Sequence, residues 1–146
     1  MNVLVVGGCG YIGSALVPFL LADGHHVTVH DNDISKGFLP ENEHCKVVKI
    51  DVREYDLRDL PFKGQDAVIY LAGISNNDFC TAYPVIHKSV NLYAFIEAAF
   101  AGKAVQRFIY ASSVAAYGDC DYADESKALE PTTVYGAGKK FCEEWL

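Results

Sequence analysis

The sequence predicts an α/β domain, a parallel doubly wound sheet with helices on its faces. Three observations carry that expectation. Short apolar, β-branched runs alternate with longer stretches whose apolar residues recur at helical spacing. The first such run empties into four glycines within residues 7–13, and a helical pattern starts at once. Hydrophobic residues make up 51% of 146, enough for one domain (1–146) with a sizeable core.

In chain order, "NVLVVG" (2–7) is a continuous apolar run of the kind that is buried on both faces of a sheet. "YIGSALVPFLLADG" (11–24) has helical spacing and closes on Gly24 as a C-cap. Pro18 lies beyond its first turn, removes one backbone hydrogen bond and predicts a kink. "HVTVHD" (26–31) and "CKVVKID" (45–51) read as the second and third strands, and "REYDLRDLPF" (53–62) as a short helical piece. "DAVIYLAG" (66–73) is a fourth strand. "PVIHKSVNLYAFIEAAFAG" (84–102) is one long helix ended by Gly102, with Phe95 and Phe100 in the core, and "VQRFIYASS" (105–113) is a fifth strand. Such alternation implies βαβ units.

Charge and cysteine usage exclude several function classes. A net charge of −7 argues against a nucleic-acid or anionic-membrane surface, since phosphates repel it. No apolar run approaches the roughly 18 residues needed to span a bilayer, and "MNVLVVGGCG" lacks the basic start of a signal peptide. Five scattered cysteines without a CxxC pair favour reduced thiols in a cytoplasm over disulfides or zinc. His25 and His26 read as a solvated turn and His30 as a packed or edge histidine, with no second ligand at metal spacing. The acidic run "GDCDYADES" reads as a solvated loop.

The glycines satisfy G-x-G-x-x-G through Gly8, Gly10 and Gly13, and G-x-x-G-x-x-G through Gly7, Gly10 and Gly13. A strand, such a turn and a helix in that order let a pyrophosphate approach the backbone at a helix N-terminus, which points to a dinucleotide. Asp31 ends the second strand, where a carboxylate binds ribose hydroxyls and repels a 2′-phosphate, so NAD is expected rather than NADP. A solvated loop acid is the alternative.

The fifth strand delivers Ser112 and Ser113 to the carboxyl edge of the sheet. Tyr135 and Lys139 follow at i, i+4, on one helical face. A tyrosine is a poor base unless a nearby cation stabilises its phenolate. Ser113 is then expected to hold a substrate hydroxyl while Tyr135 takes its proton and hydride leaves for NAD. A Tyr–Lys pair alone is common on surfaces; the order glycine turn, acid, serine, YxxxK is what gives it weight.

On these motifs the chain resembles the extended short-chain dehydrogenase/reductases, specifically the NAD-dependent sugar-nucleotide epimerase/dehydratase branch with its Rossmann fold. "VLVVGGCGYIGSALVPFLLADGHHVTVHDN" is similar to the family's opening and implies NAD contacts from Gly7, Gly10, Tyr11, Ile12, Gly13, Asp31 and Asn32. "DVRE" implies that Asp51 and Val52 meet the adenine, and "VIYLAGISNN" that the backbone of Leu71, Ala72 and Gly73 lines the cofactor. "FIYASSVAAYG" places the catalytic serine on Ser113. "EPTTVYGAGKKFCEE" makes Tyr135 the base and Lys139 its partner and nicotinamide-ribose ligand. Departures are Tyr70, where the family usually has His, Pro18, and the family's Asn-Val-x-Gly-Thr element, whose Asn position falls near Lys88 or Ser89 with Asn91 displaced. The family's 4,6-dehydratases carry Thr-Asp-Glu after the serine. Here Val114 and Ala115 follow Ser113, which favours an epimerase or a ketoreductase.

The resemblance implies a nucleotide-sugar substrate, and a homodimer is among the assemblies it implies. It further implies that the chain stops inside the catalytic helix, with the substrate domain absent and Phe141, Trp145 and Leu146 uncovered. The expectation is the amino-terminal part of a longer enzyme. Alternatives are a non-catalytic NAD-binding module and half of a split two-chain assembly.

Overall fold

Four consecutive β-branched or leucine side chains leave strand β1 (Asn2–Val6) no solvated face: Val3, Leu4, Val5 and Val6 are each 3% exposed or less. The computed structural model describes residues 1–33, 39–55 and 62–146. Around β1 lie β2 (His26–Asp31), β3 (Cys45–Lys49), β4 (Ala67–Tyr70) and β5 (Arg107–Tyr110), all parallel in the order β3-β2-β1-β4-β5. Val5 sits beside Val29 on one side and Ile69 on the other. The order reverses between β1 and β4, the switch point outside whose carboxyl ends ligands bind in such sheets.

Helix α1 (Tyr11–Ala22) turns Gly13 and Val17 inward, and Val17 packs with Val3, Val5, Val27, Val29 and Cys45. The helix continues through Pro18 to Ala22, with Asp23 as its C-cap and Gly24 at φ +80 beyond it, donating to Leu21 O at 3.0 Å. Of the expected helical piece at 53–62, Val52–Glu54 form a 3₁₀ turn. Residues 56–61 lie outside the described residues, as do 34–38 of the loop after Asp33.

The chain divides into two compact units, Met1–Ala72 with Glu97–Ala111, and Gly73–Ile96 with Ser112–Leu146. The first holds the sheet and α1. In it His30 is buried with Nδ1 3.1 Å from the Tyr55 hydroxyl, a packed histidine as expected. Burial lowers its pKa to about 4, helped by Lys46, and also pushes the Tyr55 phenol up.

The second unit contains α2 (Asn77–Ala82), α3 (Pro84–His87) and α5 (Val134–Trp145). The single helix expected over 84–102 is instead three pieces. After α3 come a π-helical turn (Lys88–Tyr93) and α4 (Ala94–Ala101), and Gly102 opens a 3₁₀ turn. The wider π turn faces Asn91 inward, where every donor of its amide is used. Oδ1 accepts from Ile74 N at 2.7 Å, and Nδ2 donates to Ile74 O at 2.9 Å and to His87 Nδ1 at 3.0 Å. The Cys142 thiol donates to Asn91 O at 3.3 Å. Lys88 is exposed and Ser89 half-buried, so the buried amide of this helix comes from Asn91 rather than from either of those positions.

Phe95 is buried as expected, with the edge of Trp145 against it at 6.4 Å, so Trp145 is half-covered while Phe141 and Leu146 are exposed. Phe100 is not in the core. It is 58% exposed, and its ring lies under the Lys103 ammonium at 4.8 Å. None of the five cysteines forms a disulfide; Cys9, Cys45, Cys80 and Cys142 are buried and Cys120 is exposed. No helix among the described residues is long and apolar enough to cross a membrane, and no group of three His, Cys, Asp or Glu among them could hold a metal.

Candidate functional site

In the first unit the glycine turn closes on Gly7, whose φ is +83 and whose amide donates to His30 O at 2.7 Å. A Cβ at Gly7 would lie 2.6 Å from Ala72 N, so only glycine fits between the ends of β1 and β4. Of the two possible glycine spacings, the tight turn therefore belongs to the one that begins at Gly7. Gly10 is the N-cap of α1 in extended conformation, offering no side chain to the first-turn amides. No acidic residue stands in that turn either, so no side chain of the helix itself offsets its positive end. Gly13 is buried beneath it, while Tyr11 is 96% exposed and Ile12 is exposed beside it.

Asp31 faces this turn. Its Oδ2 accepts from Cys9 N at 2.9 Å, and its Oδ1 from Asp33 N at 3.0 Å. The carboxylate thus fastens the glycine turn to the end of β2, a contact that the sequence does not announce because Cys9 occupies a variable position of the motif. Burial, then the Asp31 charge, push the Cys9 thiol up. Asn32 is exposed and bonds to Asp51. Both Asp51 oxygens accept from Arg53, at 2.9 Å from Nε and 2.6 Å from Nη2, which holds its pKa down at about 2. Val52 is buried, and Leu71 and Ala72 are half-buried at the end of β4, Leu71 N donating to Val6 O at 2.8 Å.

These features suit a pyrophosphate with an adenosine ribose: a helix N-terminus with no side-chain cap, a turn in which three of four residues are glycine, and one carboxylate at the neighbouring strand.

In the second unit Ser113 is the N-cap of a 3₁₀ turn (Val114–Ala116), its Oγ accepting from Ala115 N at 3.2 Å. Its hydroxyl proton remains able to donate. Thr133 caps α5 by accepting from Gly136 N at 3.0 Å, which fixes where the helix starts and hence that Tyr135 falls in its first turn. At Gly136 a Cβ would overlap Ala115 O, so the serine turn and α5 meet backbone to backbone. Lys139, one turn beyond Tyr135, is 9% exposed, with Nζ 5.7 Å from the Tyr135 ring centroid. Burial lowers its pKa, opposed by Cys142 and Glu143. Gly73 is exposed, and a Cβ added there would lie 3.3 Å from Asn91 Oδ1.

The structure therefore brings Gly7, Gly10, Gly13 and Asp31 together in one unit, and Ser113, Tyr135 and Lys139 onto one turn–helix pair in the other. Sequence spacing missed Asn91, hidden by the π turn, and Glu143, whose i+4 relation to Lys139 was its only signal.

A sequence model of the NAD dependent epimerase/dehydratase family matches residues 3–146. The UDP-glucose 4-epimerase of Neisseria gonorrhoeae is 28% identical over 160 residues, covering 100% of this chain and 47% of that protein. A UDP-N-acetylglucosamine 4-epimerase from Methanobrevibacter ruminantium, solved with UDP-N-acetylmuramic acid, superposes with a TM-score of 0.90 at 31% identity, over 99% of this chain and 48% of the other. The UDP-glucose 4-epimerase of Thermus thermophilus, in complex with NAD, gives 0.87 at 28% identity, over 99% and 49%. The chain spans about half the length of the relatives it matches.

Proposed function

Because the chain belongs to the NAD-dependent epimerase/dehydratase family, we propose that it is the amino-terminal, cofactor-holding part of a nucleotide-sugar 4-epimerase. The observation that carries the catalytic reading is the buried amine of Lys139 beside Tyr135. A lysine amine held out of water next to a phenol gives the fold little, whereas a base needs it.

NAD is the family's cofactor, and when bound it supplies the hydride acceptor and donor. The first-turn amides of α1, from Tyr11 to Gly13, take the pyrophosphate behind the Gly7–Gly10 turn. Asp31 accepts from the adenosine ribose hydroxyls, with Asn32 beside it, and its charge disfavours a 2′-phosphate. Asp51 and Val52 border the adenine through their backbone, since the Asp51 carboxylate already serves Arg53. The backbone of Leu71, Ala72 and Gly73 lines the cofactor. Ser113 donates to the sugar oxygen that reacts, Tyr135 removes its proton and later returns it, and the Lys139 ammonium stabilises the phenolate and holds the nicotinamide ribose. Neither Val114 nor Ala115 has a proton to give to water elimination, so epimerisation is favoured over dehydration.

The substrate class rests on the relatives, which act on or bind UDP-sugars. A homodimer and a reducing, cytoplasmic setting belong to the same reading; five scattered cysteines without a CxxC pair support the second. The reading also includes a domain of 1–146 that works with a further substrate-binding segment.

Two measurements test it. Calorimetric titration of this chain should show NAD binding, and equal affinity for NADP would remove Asp31 from its role. In the whole protein, Tyr135→Phe should leave NAD bound and reduce interconversion of UDP-glucose and UDP-galactose by about 10²–10⁴. Turnover at the wild-type rate would sink the assignment.

A further inference from the structure

The α5 face that carries Tyr135 and Lys139 continues four residues on to Glu143. There the hydroxyl of Ser112 donates to Glu143 Oε1. Ser112 precedes Ser113 directly, and Ser113 caps the turn Val114–Ala116. That same turn is pressed on α5 at Gly136, where Ala115 O leaves no room for a Cβ. The serine segment is thus fastened to the helix at two points, about 10 Å apart along its axis. One fastener is a backbone contact beside Tyr135; the other is a charge-assisted hydrogen bond one turn past Lys139.

The second fastener also carries charge. Burial disfavours the Lys139 ammonium, while Cys142 and then Glu143 act the other way. Two further neighbours bring no charge of their own. The Tyr135 ring is 5.7 Å from Nζ, and His87, packed at Gly138, has its pKa lowered by burial and then by Lys88. Because Asn91 Oδ1 accepts from Ile74 N, its amide must donate to His87 Nδ1, which places the imidazole proton on Nε2.

We propose that Glu143 is a positioning residue for the Ser113–Tyr135–Lys139 set, its carboxylate tying the serine turn to α5 and placing a negative charge one helical turn from Lys139. The proposal rests on the catalytic reading above. An exposed ion pair or hydrogen bond adds little stability, so the effect of Glu143 is on placement and charge rather than on whether the chain folds. Its two parts separate by substitution. Glu143→Gln keeps an acceptor for Ser112 and removes the charge; Ser112→Ala removes the tie and keeps the charge; Glu143→Ala removes both.

The experiment is NMR on the labelled chain, following the backbone amides of 112–116 and the titration of the Lys139 side chain. Glu143→Gln should leave the turn amides near their wild-type positions and move the Lys139 midpoint downward. Ser112→Ala should shift the turn amides and leave the midpoint in place, and Glu143→Ala should do both. An unmoved Lys139 midpoint in Glu143→Gln, or unmoved turn amides in both alanine variants, overturns the proposal and makes Glu143 a solvated surface carboxylate. A parallel NAD titration separates the two readings. A wild-type chain that ignores NAD defeats the cofactor assignment, while the NMR outcomes still judge Glu143 alone.

Discussion

His30 shows how one side chain sets a pH dependence. Its folded pKa of about 4 lies below the ordinary histidine value of 6.5, because burial disfavours the charged ring. Below pH 6.5 the unfolded chain binds a proton here and the folded chain does not until about pH 4, so stability falls as pH falls through that window. The loss approaches about 3 kcal/mol at the acid end. Urea midpoints measured at about pH 7 and pH 5, on either side of that ordinary value, should show the decline, and a flat profile would mean that His30 titrates as if in water. Asp31 makes a second prediction. Asp31→Asn keeps one acceptor for the Cys9 amide and removes the charge, so NAD affinity should drop about tenfold, equivalent to about 1.4 kcal/mol. NADP affinity should rise relative to it. Competition between the two dinucleotides reads both effects at once.

Helix α5 contains two interior glycines, each about 1 kcal/mol poorer in helix propensity than alanine, and their surroundings explain why. At Gly136 the obstacle is the carbonyl oxygen of Ala115, which belongs to backbone and cannot step aside. At Gly138 it is the ring of His87, 3.0 Å from an added Cβ, and a side chain can shift by tenths of an ångström. Gly136→Ala should therefore destabilise by about 1–3 kcal/mol and disturb Ser113, while Gly138→Ala should have a smaller effect. Denaturant unfolding of the pair gives the order, and the reverse order would disprove the account. The same helix marks where sequence reading succeeds and fails. The i, i+4 spacing of Tyr135 and Lys139 announces a helical face, and the run Val3–Val6 announces a doubly buried strand, because both signals are local. The π turn at Lys88–Tyr93 is invisible to a 3.6-residue period, and with it the inward turn of Asn91. The Cys9–Asp31 and Ser112–Glu143 bonds join residues far apart in sequence, and the pattern of neither segment contains the other.

The chain taken entire combines a five-stranded parallel sheet reversing at β1 and β4 with a helical unit bearing Ser113, Tyr135 and Lys139. If the first unit holds NAD as proposed, ligand binding stabilises the folded chain by mass action, about 2.7 kcal/mol at a hundredfold excess over Kd. Melting temperature should rise with NAD and stay nearly constant with NADP, and an equal rise with both would contradict the role given to Asp31. The distribution of the five thiols has a practical consequence of another kind. Cys9, Cys45, Cys80 and Cys142 are buried, and in the first three burial pushes the thiol up, away from the reactive thiolate. Cys120 alone meets solvent, in the loop between the serine turn and α5. A maleimide dye should therefore couple once per native chain, at Cys120, and up to five times after denaturation. The wild-type sequence already contains an attachment point for a fluorescent reporter seven residues from Ser113, with no cysteine to remove.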